Sequence, residues 1–212
     1  MPRARSLHPD RLAEAALAVI DRDGLTGLTM RAVATELGMS TMALYRYVTD
    51  RSELELLVAD WCLRDLDTTA PADPQWTDQI KTLALRVRDQ VGAHPQAVPL
   101  LIANRQRSRP LLRWAESVVT VLAAAGFTGT ARVIALRGLV GYLNGALLQE
   151  QLGALGGPGT EAIAAQTDFP IMRETARAAR DVTAEDEFTG GLDIVLRGLR
   201  RSDPGPAGPR PS

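Results

Sequence analysis

The sequence predicts an all-α fold in which a short N-terminal three-helix unit precedes a larger helical part. Three observations carry this. Apolar residues recur at three- and four-residue intervals through most of the 212 residues, which is the helical period. No run sustains the period-two alternation of β-branched residues that a half-buried strand needs. Serine, threonine or aspartate stands before several of the periodic runs, and glycine or proline closes them.

The first helix starts at Pro9, whose missing N–H would go unpaired in a first turn anyway. It runs to about Asp23 with Leu12, Ala16, Val19 and Ile20 as its apolar stripe, and Gly24 stops it. Thr29 can cap a second helix, Met30–Leu37, with Met30, Val33, Ala34 and Leu37 on the buried face. Gly38 supplies a turn, and Ser40 caps a short third helix that ends near Tyr47. Asp50 with Glu53 reads as a capping box for a fourth helix to about Asp67.

"TTAPADP" is linker-like. Pro74 then opens a helix to about Gly92. His94-Pro95 breaks the chain, and a helix follows to about Asn104. After the turn "RQRSRP", Leu111–Ala125 is amphipathic. Thr130–Leu152 is the most apolar helix, and "GALGGPGT" after it is a loop. Residues 162–180 are at least partly helical around Phe169, Ile171 and Met172. Thr183 caps a last helix, Ala184–Arg200, and the Pro/Gly-rich tail 202–212 is expected to be disordered.

Composition removes several function classes. A net charge of −1 means that any polyanion must be met by local patches rather than bulk charge. Cys62 is the only cysteine and His8 and His94 are the only histidines, so no disulfide, zinc site or His-paired nucleophile is expected. No phosphate-binding glycine loop is present, so the chain is not expected to be an enzyme. "MPRARSLHPDRL" lacks the apolar core of a secretory signal. Apolar stretches such as Val118–Ala125 are too short for a bilayer. A cytoplasmic location without a membrane partner is the expectation.

The run "LTMRAVATELGMSTMALYRYVTDRSEL" raises the functional question. A helix, a glycine turn of about three residues and a second short helix make a helix-turn-helix. Leu44 and Val48 point inward. That turns Thr41, Met42, Tyr45 and Arg46 outward, with Tyr47 at the edge and the cap Ser40 beside them. Exposed tyrosine and arginine are costly on a solvated face but suit DNA. A tyrosine packs on sugar or a thymine methyl, and an arginine donates two bonds to guanine. Arg31 and Arg51 flank the same surface, where helix N-termini add phosphate donors.

These residues follow the pattern G-x-x-x-x-T-x-R-x-[LIV]-A-x-x-L-G-[VM]-S-x-x-x-[LI]-Y-x-[HY]-[FVW] from Gly24 to Val48. The chain thereby resembles the tetracycline-repressor (TetR) family. The resemblance implies that Arg31, Thr41, Met42, Tyr45, Arg46 and Tyr47 meet DNA. It also puts Arg51 where the family usually has a phosphate-binding lysine. It continues more weakly through "LALRVRDQVGAHPQAVPLL", "VVTVLAAAGFT" and "EFTGGLDIVLRGLRR". A DNA-binding domain over 1–50 and an effector-binding and dimerisation domain over 51–201 follow from it. So does a repressor that leaves a palindromic double-stranded operator when a small organic effector binds. A DNA-binding architectural protein without an effector is the alternative.

The C-terminal part has signals of its own. Gly138, Gly141 and Gly145 share one stripe of their helix, extended by Ile134, Leu148 and Leu152. Each glycine costs helix stability, about 1 kcal/mol relative to alanine, so close helix approach is expected there. The last helix offers Gly191, Ile194, Val195, Gly198 and Leu199. Paired across two copies, the stripes give the four-helix homodimer interface that the resemblance implies. Effector-lining candidates are Leu101, Leu111, Trp114, Phe127, Tyr142, Asn144, Gln149, Phe169 and Met172. Asn144 and Gln149 are the informative ones, polar groups in an apolar helix. Family members that take a metal-bound tetracycline use histidine and acidic ligands. "AVPLLIAN" has no histidine, and Gln149 stands where a carboxylate is wanted. No metal or other cofactor is therefore expected with the effector.

Overall fold

The computed structural model describes residues 8–153 and 155–201. The tail 202–212 lies outside the described residues. Every regular element among the described residues is helical. The chain divides into two compact units, one ending at Val121 and the other beginning at Leu122.

The first unit begins with α1 (Pro9–Gly27), which buries Leu12, Ala16, Val19 and Ile20. Gly24 interrupts it with φ 72°, a conformation that glycine reaches without the Cβ penalty. α2 (Met30–Glu36) and α3 (Thr41–Leu44) follow, then α4 (Arg51–Cys62) with Leu54, Val58, Ala59 and Cys62 inward. α1 packs on α2, on α4 and on the 3-10 turn Pro95–Ala97. The first fifty residues therefore pack with α4 and the Pro95–Ala97 turn within one unit.

α4 stops at Cys62 rather than near Asp67. Leu63 leaves the helical region, and Arg64 folds back so that its guanidinium lies 3.6 Å over the Trp61 ring. Gln90 donates to the Cys62 carbonyl at 3.1 Å, supplying the partner that a continuing helix would have given. α5 (Trp76–Gly92) and α6 (Val98–Asn104) follow, and the division falls within α7 (Arg109–Ala124). Trp114 on α7 donates its indole N–H to the Leu83 carbonyl on α5 at 2.9 Å.

In the second unit α8 (Gly129–Glu150) buries Ala135, Leu139, Leu143 and Leu147. It packs on α11 (Ala184–Arg201), whose Phe188, Leu192 and Leu196 are buried. Between them α9 (Pro158–Ala164) lies against α10 (Pro170–Ala178). Two helices replace the single partly helical stretch expected over 162–180, because Pro170 disfavours helical geometry at Phe169. A reciprocal cap starts α11. The Thr183 hydroxyl accepts from the Asp186 N–H at 3.1 Å, and Asp186 accepts from the Thr183 N–H at 3.3 Å.

By length and composition alone α8 is long and apolar enough to cross a membrane, but Arg132 and Arg137 interrupt its apolar run. Its apolar residues divide between a buried face and an exposed one. Val133 and Ile134 are 59% and 63% exposed, and Leu148 also lies open.

Candidate nucleic-acid interface

The local chemistry of residues 29–53 fixes the shape of the candidate surface. The Thr29 hydroxyl accepts from the Ala32 N–H at 3.1 Å and starts α2. Gly38, with φ 66°, ends it. The Gly38 N–H bonds to the Thr35 carbonyl and the Met39 N–H to the Ala34 carbonyl. That is the paired closure of a helix end in which the left-handed residue is glycine. The Ser40 hydroxyl then accepts from the Ala43 N–H at 3.2 Å and starts α3. α3 is one regular turn, Thr41–Leu44, and residues 45–47 continue it through bonds from the N–H groups of Arg46 and Tyr47 to the carbonyls of Ala43 and Leu44.

Leu44 and Val48 are buried against the α1–α2 core, and Leu37 is only half buried. The opposite side is open. Met42 is 77% exposed, Tyr45 46% and Tyr47 38%, and Arg31, Ser40 and Arg46 are exposed, with Thr41 half buried beside them. The expected surface residues thus share the side of α2 and α3 that the core does not use.

Two ties hold this surface. Arg22 on α1 donates to Glu36 on α2 at 2.8 Å and pairs with Asp23. Asp23 first and Glu36 second push its pKa up, so it stays charged. At the start of α4 the Asp50 carboxylate accepts from the Glu53 N–H at 2.9 Å, and Glu53 accepts from the Thr49 N–H at 2.7 Å. That N–H, with the Thr49 hydroxyl next, holds the Glu53 carboxyl below its ordinary range. Arg51 is exposed at the same end, with Nε 2.7 Å from Glu55. Arg107, from the turn after α6, donates to the Ser52 hydroxyl at 2.6 Å. The Arg22 and Arg107 ties had no sequence signal, since their partners lie 14 and 55 residues away.

A turn of outward Tyr and Arg on a buried Leu/Val foot, with guanidinium groups beside it, has the layout of a helix-turn-helix. A family model described as "Bacterial regulatory proteins, tetR family" matches residues 12–54. A second, "Tetracyclin repressor-like, C-terminal domain", matches residues 70–202. The chain belongs to the TetR family. The HTH-type transcriptional repressor DrrR1 of Streptomyces coeruleorubidus is 33% identical over 90% of this chain and 76% of its own length. BioQ of Mycobacterium smegmatis, solved with its double-stranded DNA operator, is 26% identical with a TM-score of 0.67, covering 92% of this chain and 99% of that one. ActR of Streptomyces coelicolor, solved with actinorhodin, shares the fold at 23% identity and a TM-score of 0.80, covering 95% of this chain and 99% of that one. This TetR-family chain is therefore a DNA-binding transcriptional regulator with a helix-turn-helix of the family's kind.

The effector candidates lie in several places. Trp114 and Leu101 are buried in the first unit, and the Trp114 indole N–H is engaged with Leu83, so it is a core anchor there. Leu111 is half buried. In the second unit Phe127 is 1% exposed and belongs to the core. Tyr142 donates its hydroxyl to the Phe188 carbonyl at 2.5 Å, which makes it a tie between α8 and α11. Asn144 is half buried. Phe169, just before α10, and Met172, on α10, are exposed. Gln149 is exposed at an open surface cleft of about 330 Å³ that it lines with Leu152, Gly153, Leu155, Thr160 and Glu187.

The dimer candidates also separate. Ile134, Gly138, Gly141 and Gly145 lie exposed on α8, and Ile194 and Gly198 on α11, while Val195 is half buried. Gly191 is different. A Cβ there would fall 2.5 Å from the Tyr142 hydroxyl oxygen, so its missing side chain lets α11 approach α8 within one chain.

Proposed function

We propose that this TetR-family chain is a homodimeric repressor that binds a palindromic operator and releases it when a small organic effector binds. The observation that carries the reading is the outward row Met42, Tyr45, Arg46 and Tyr47, held on buried Leu44 and Val48. α3 enters the major groove. Arg46 and Tyr47 read base edges, Thr41, Met42 and Tyr45 pack on bases and sugars, and Ser40 and Arg31 meet the backbone. Arg51 gives up part of its pairing with Glu55 to a phosphate. In functional terms residues 1–50 are the reader, and residues 51–201 carry effector binding and dimerisation.

One reader covers one half-site, so a palindrome requires two copies whose readers reach successive major grooves. The open stripe Ile134, Gly138, Gly141 and Gly145 with Ile194 and Gly198 supplies the self-complementary face. The effector-responsive reading is preferred over an architectural one because the chain's C-terminal part matches the family model described as "Tetracyclin repressor-like, C-terminal domain". The same fold occurs in ActR in complex with actinorhodin. The chain works in the cytoplasm without catalysis.

The test has two arms. Selection of duplexes from a random pool on the purified chain yields a palindromic site. Hydrophobic metabolites and drugs are then screened for thermal stabilisation in magnesium-free buffer, and the stabilising ones release that duplex. Selected sites without two-fold symmetry, or stabilising ligands that all need magnesium, contradict the reading.

A further inference from the structure

We infer that Arg107 is a positioning residue for operator binding: its hydrogen bond to Ser52 holds the first turn of α4, where Arg51 stands, in the arrangement that meets DNA. The inference rests on the DNA reading above and adds to it a residue from outside the reader. Arg107 Nη1 donates to Ser52 Oγ at 2.6 Å, across 55 residues of sequence. Both residues are exposed. Of the arginines in the turn between α6 and α7, Arg105 is spent on its own helix, donating to the Ile102 carbonyl at 2.8 Å. The bond to α4 is made by Arg107.

Both ends of the bond are anchored. On the α6 side the Asn104 carbonyl accepts from the N–H groups of Arg107 and Ser108, both at 2.9 Å. Asn104 and Ser108 are buried, and the Asn104 amide donates to the Leu100 carbonyl at 3.0 Å. α6 itself packs on α4. The backbone that carries Arg107 is thus set by the core. On the α4 side Ser52 lies inside the capped turn. Asp50 accepts from the Glu53 N–H, and Glu53 accepts from the Thr49 N–H and hydroxyl at 2.7 and 2.8 Å. Thr49 directly follows Val48, the buried foot of the reader. Hydrogen bonds therefore run from the turn after α6 to Ser52, and from the turn that holds Ser52 to the residue next to α3. A guanidinium donor makes the Ser52 bond charge-assisted. Apparent affinity scales with the fraction of molecules already in the binding arrangement, and this bond raises that fraction.

The experiment uses the full chain and a duplex selected from a random pool on the wild-type protein. Dissociation constants are measured over a series of salt concentrations, with the thermal midpoint followed alongside. Arg107→Ala and Ser52→Ala each lose about three- to tenfold in affinity, the range of one hydrogen bond of ordinary net strength. The double variant is no weaker than either single one, because both remove the same bond. Arg107→Lys recovers part of the loss, since an ammonium still donates to the hydroxyl. Arg109→Ala removes the same charge nearby and retains wild-type affinity. The slope of log affinity against log salt stays at the wild-type value in every variant, because a positioning residue neutralises no phosphate. Losses that add in the double variant overturn the inference. So does a slope reduced by about one in Arg107→Ala with Ser52→Ala unaffected, which makes Arg107 a phosphate contact itself. A shifted thermal midpoint with unchanged affinity reduces Arg107 to a structural role and overturns it too. Failure of the wild type to select any duplex overturns the DNA reading and this inference with it.

Discussion

Gly141→Ala separates two states of α8 by the sign of its effect. In the single chain a Cβ on Gly138, Gly141 or Gly145 meets no atom within 4 Å. Alanine would there only remove glycine's helix cost, a gain of about 1 kcal/mol. The same stripe is the surface on which a second copy is proposed to pack, with Ile134 and Ile194 at 63% and 65% exposure beside it. In a dimer the added methyl sits where two backbones approach, and overpacking costs about 1–3 kcal/mol at each of the two symmetric positions. The net effect on association is unfavourable even after the helix gain. Gly141→Leu is more severe and leaves monomer at micromolar concentration. Sedimentation equilibrium reads the association directly. Urea unfolding at several protein concentrations reads the linked stability, because a dimer gains stability with concentration and a monomer does not. A Gly141→Ala chain that is more stable by the full helix gain, with unchanged assembly, would refute the assigned interface.

Two further outcomes follow from single positions. Gly191→Ala destabilises the second unit by about 1–3 kcal/mol through overpacking against Tyr142. In a Tyr142→Phe background urea unfolding recovers only part of the loss, because a ring carbon also lies 2.7 Å from the added Cβ. Glu53 sets an acid limit on the start of α4. Its folded pKa is lowered by the Thr49 N–H, so its stabilisation is complete above the ordinary carboxylate range and is lost as pH falls through the lowered value. Glu53→Gln therefore flattens the acid limb of a thermal-midpoint titration while leaving its neutral plateau lower, and an unchanged acid limb contradicts the cap.

The reader was legible in the sequence because its determinants are local. Thr29, Ser40 and Asp50 cap the helices that follow them by bonds spanning three residues, and a cap needs only its own turn. The outward row of α3 follows from the inward positions of Leu44 and Val48 by helical geometry. The end of α4 was not legible. It depends on Gln90 reaching the Cys62 carbonyl and on Arg64 stacking over Trp61, and no glycine or proline marks it. Glycines posed a second problem. Gly191 and Gly141 look alike as members of small-residue stripes, yet one meets Tyr142 within the chain and the other meets open space. Effector lining is not legible from single residues, because an amphipathic residue in a helical domain reads the same whether it lines a cavity or anchors a core. Trp114, for example, is buried and donates its indole N–H to the Leu83 carbonyl.

The most direct measurement of DNA reading by α3 is a salt-dependent titration of the selected duplex and a scrambled duplex with wild type, Arg46→Ala, Tyr47→Ala and Arg51→Ala. With α3 in the major groove, Arg46→Ala and Tyr47→Ala each lose about 1–3 kcal/mol on the selected duplex and little on the scrambled one. Arg51→Ala weakens both duplexes alike and reduces the slope of log affinity against log salt by about one. Selected-duplex affinity that survives unchanged in all three variants would contradict the placement of the reader.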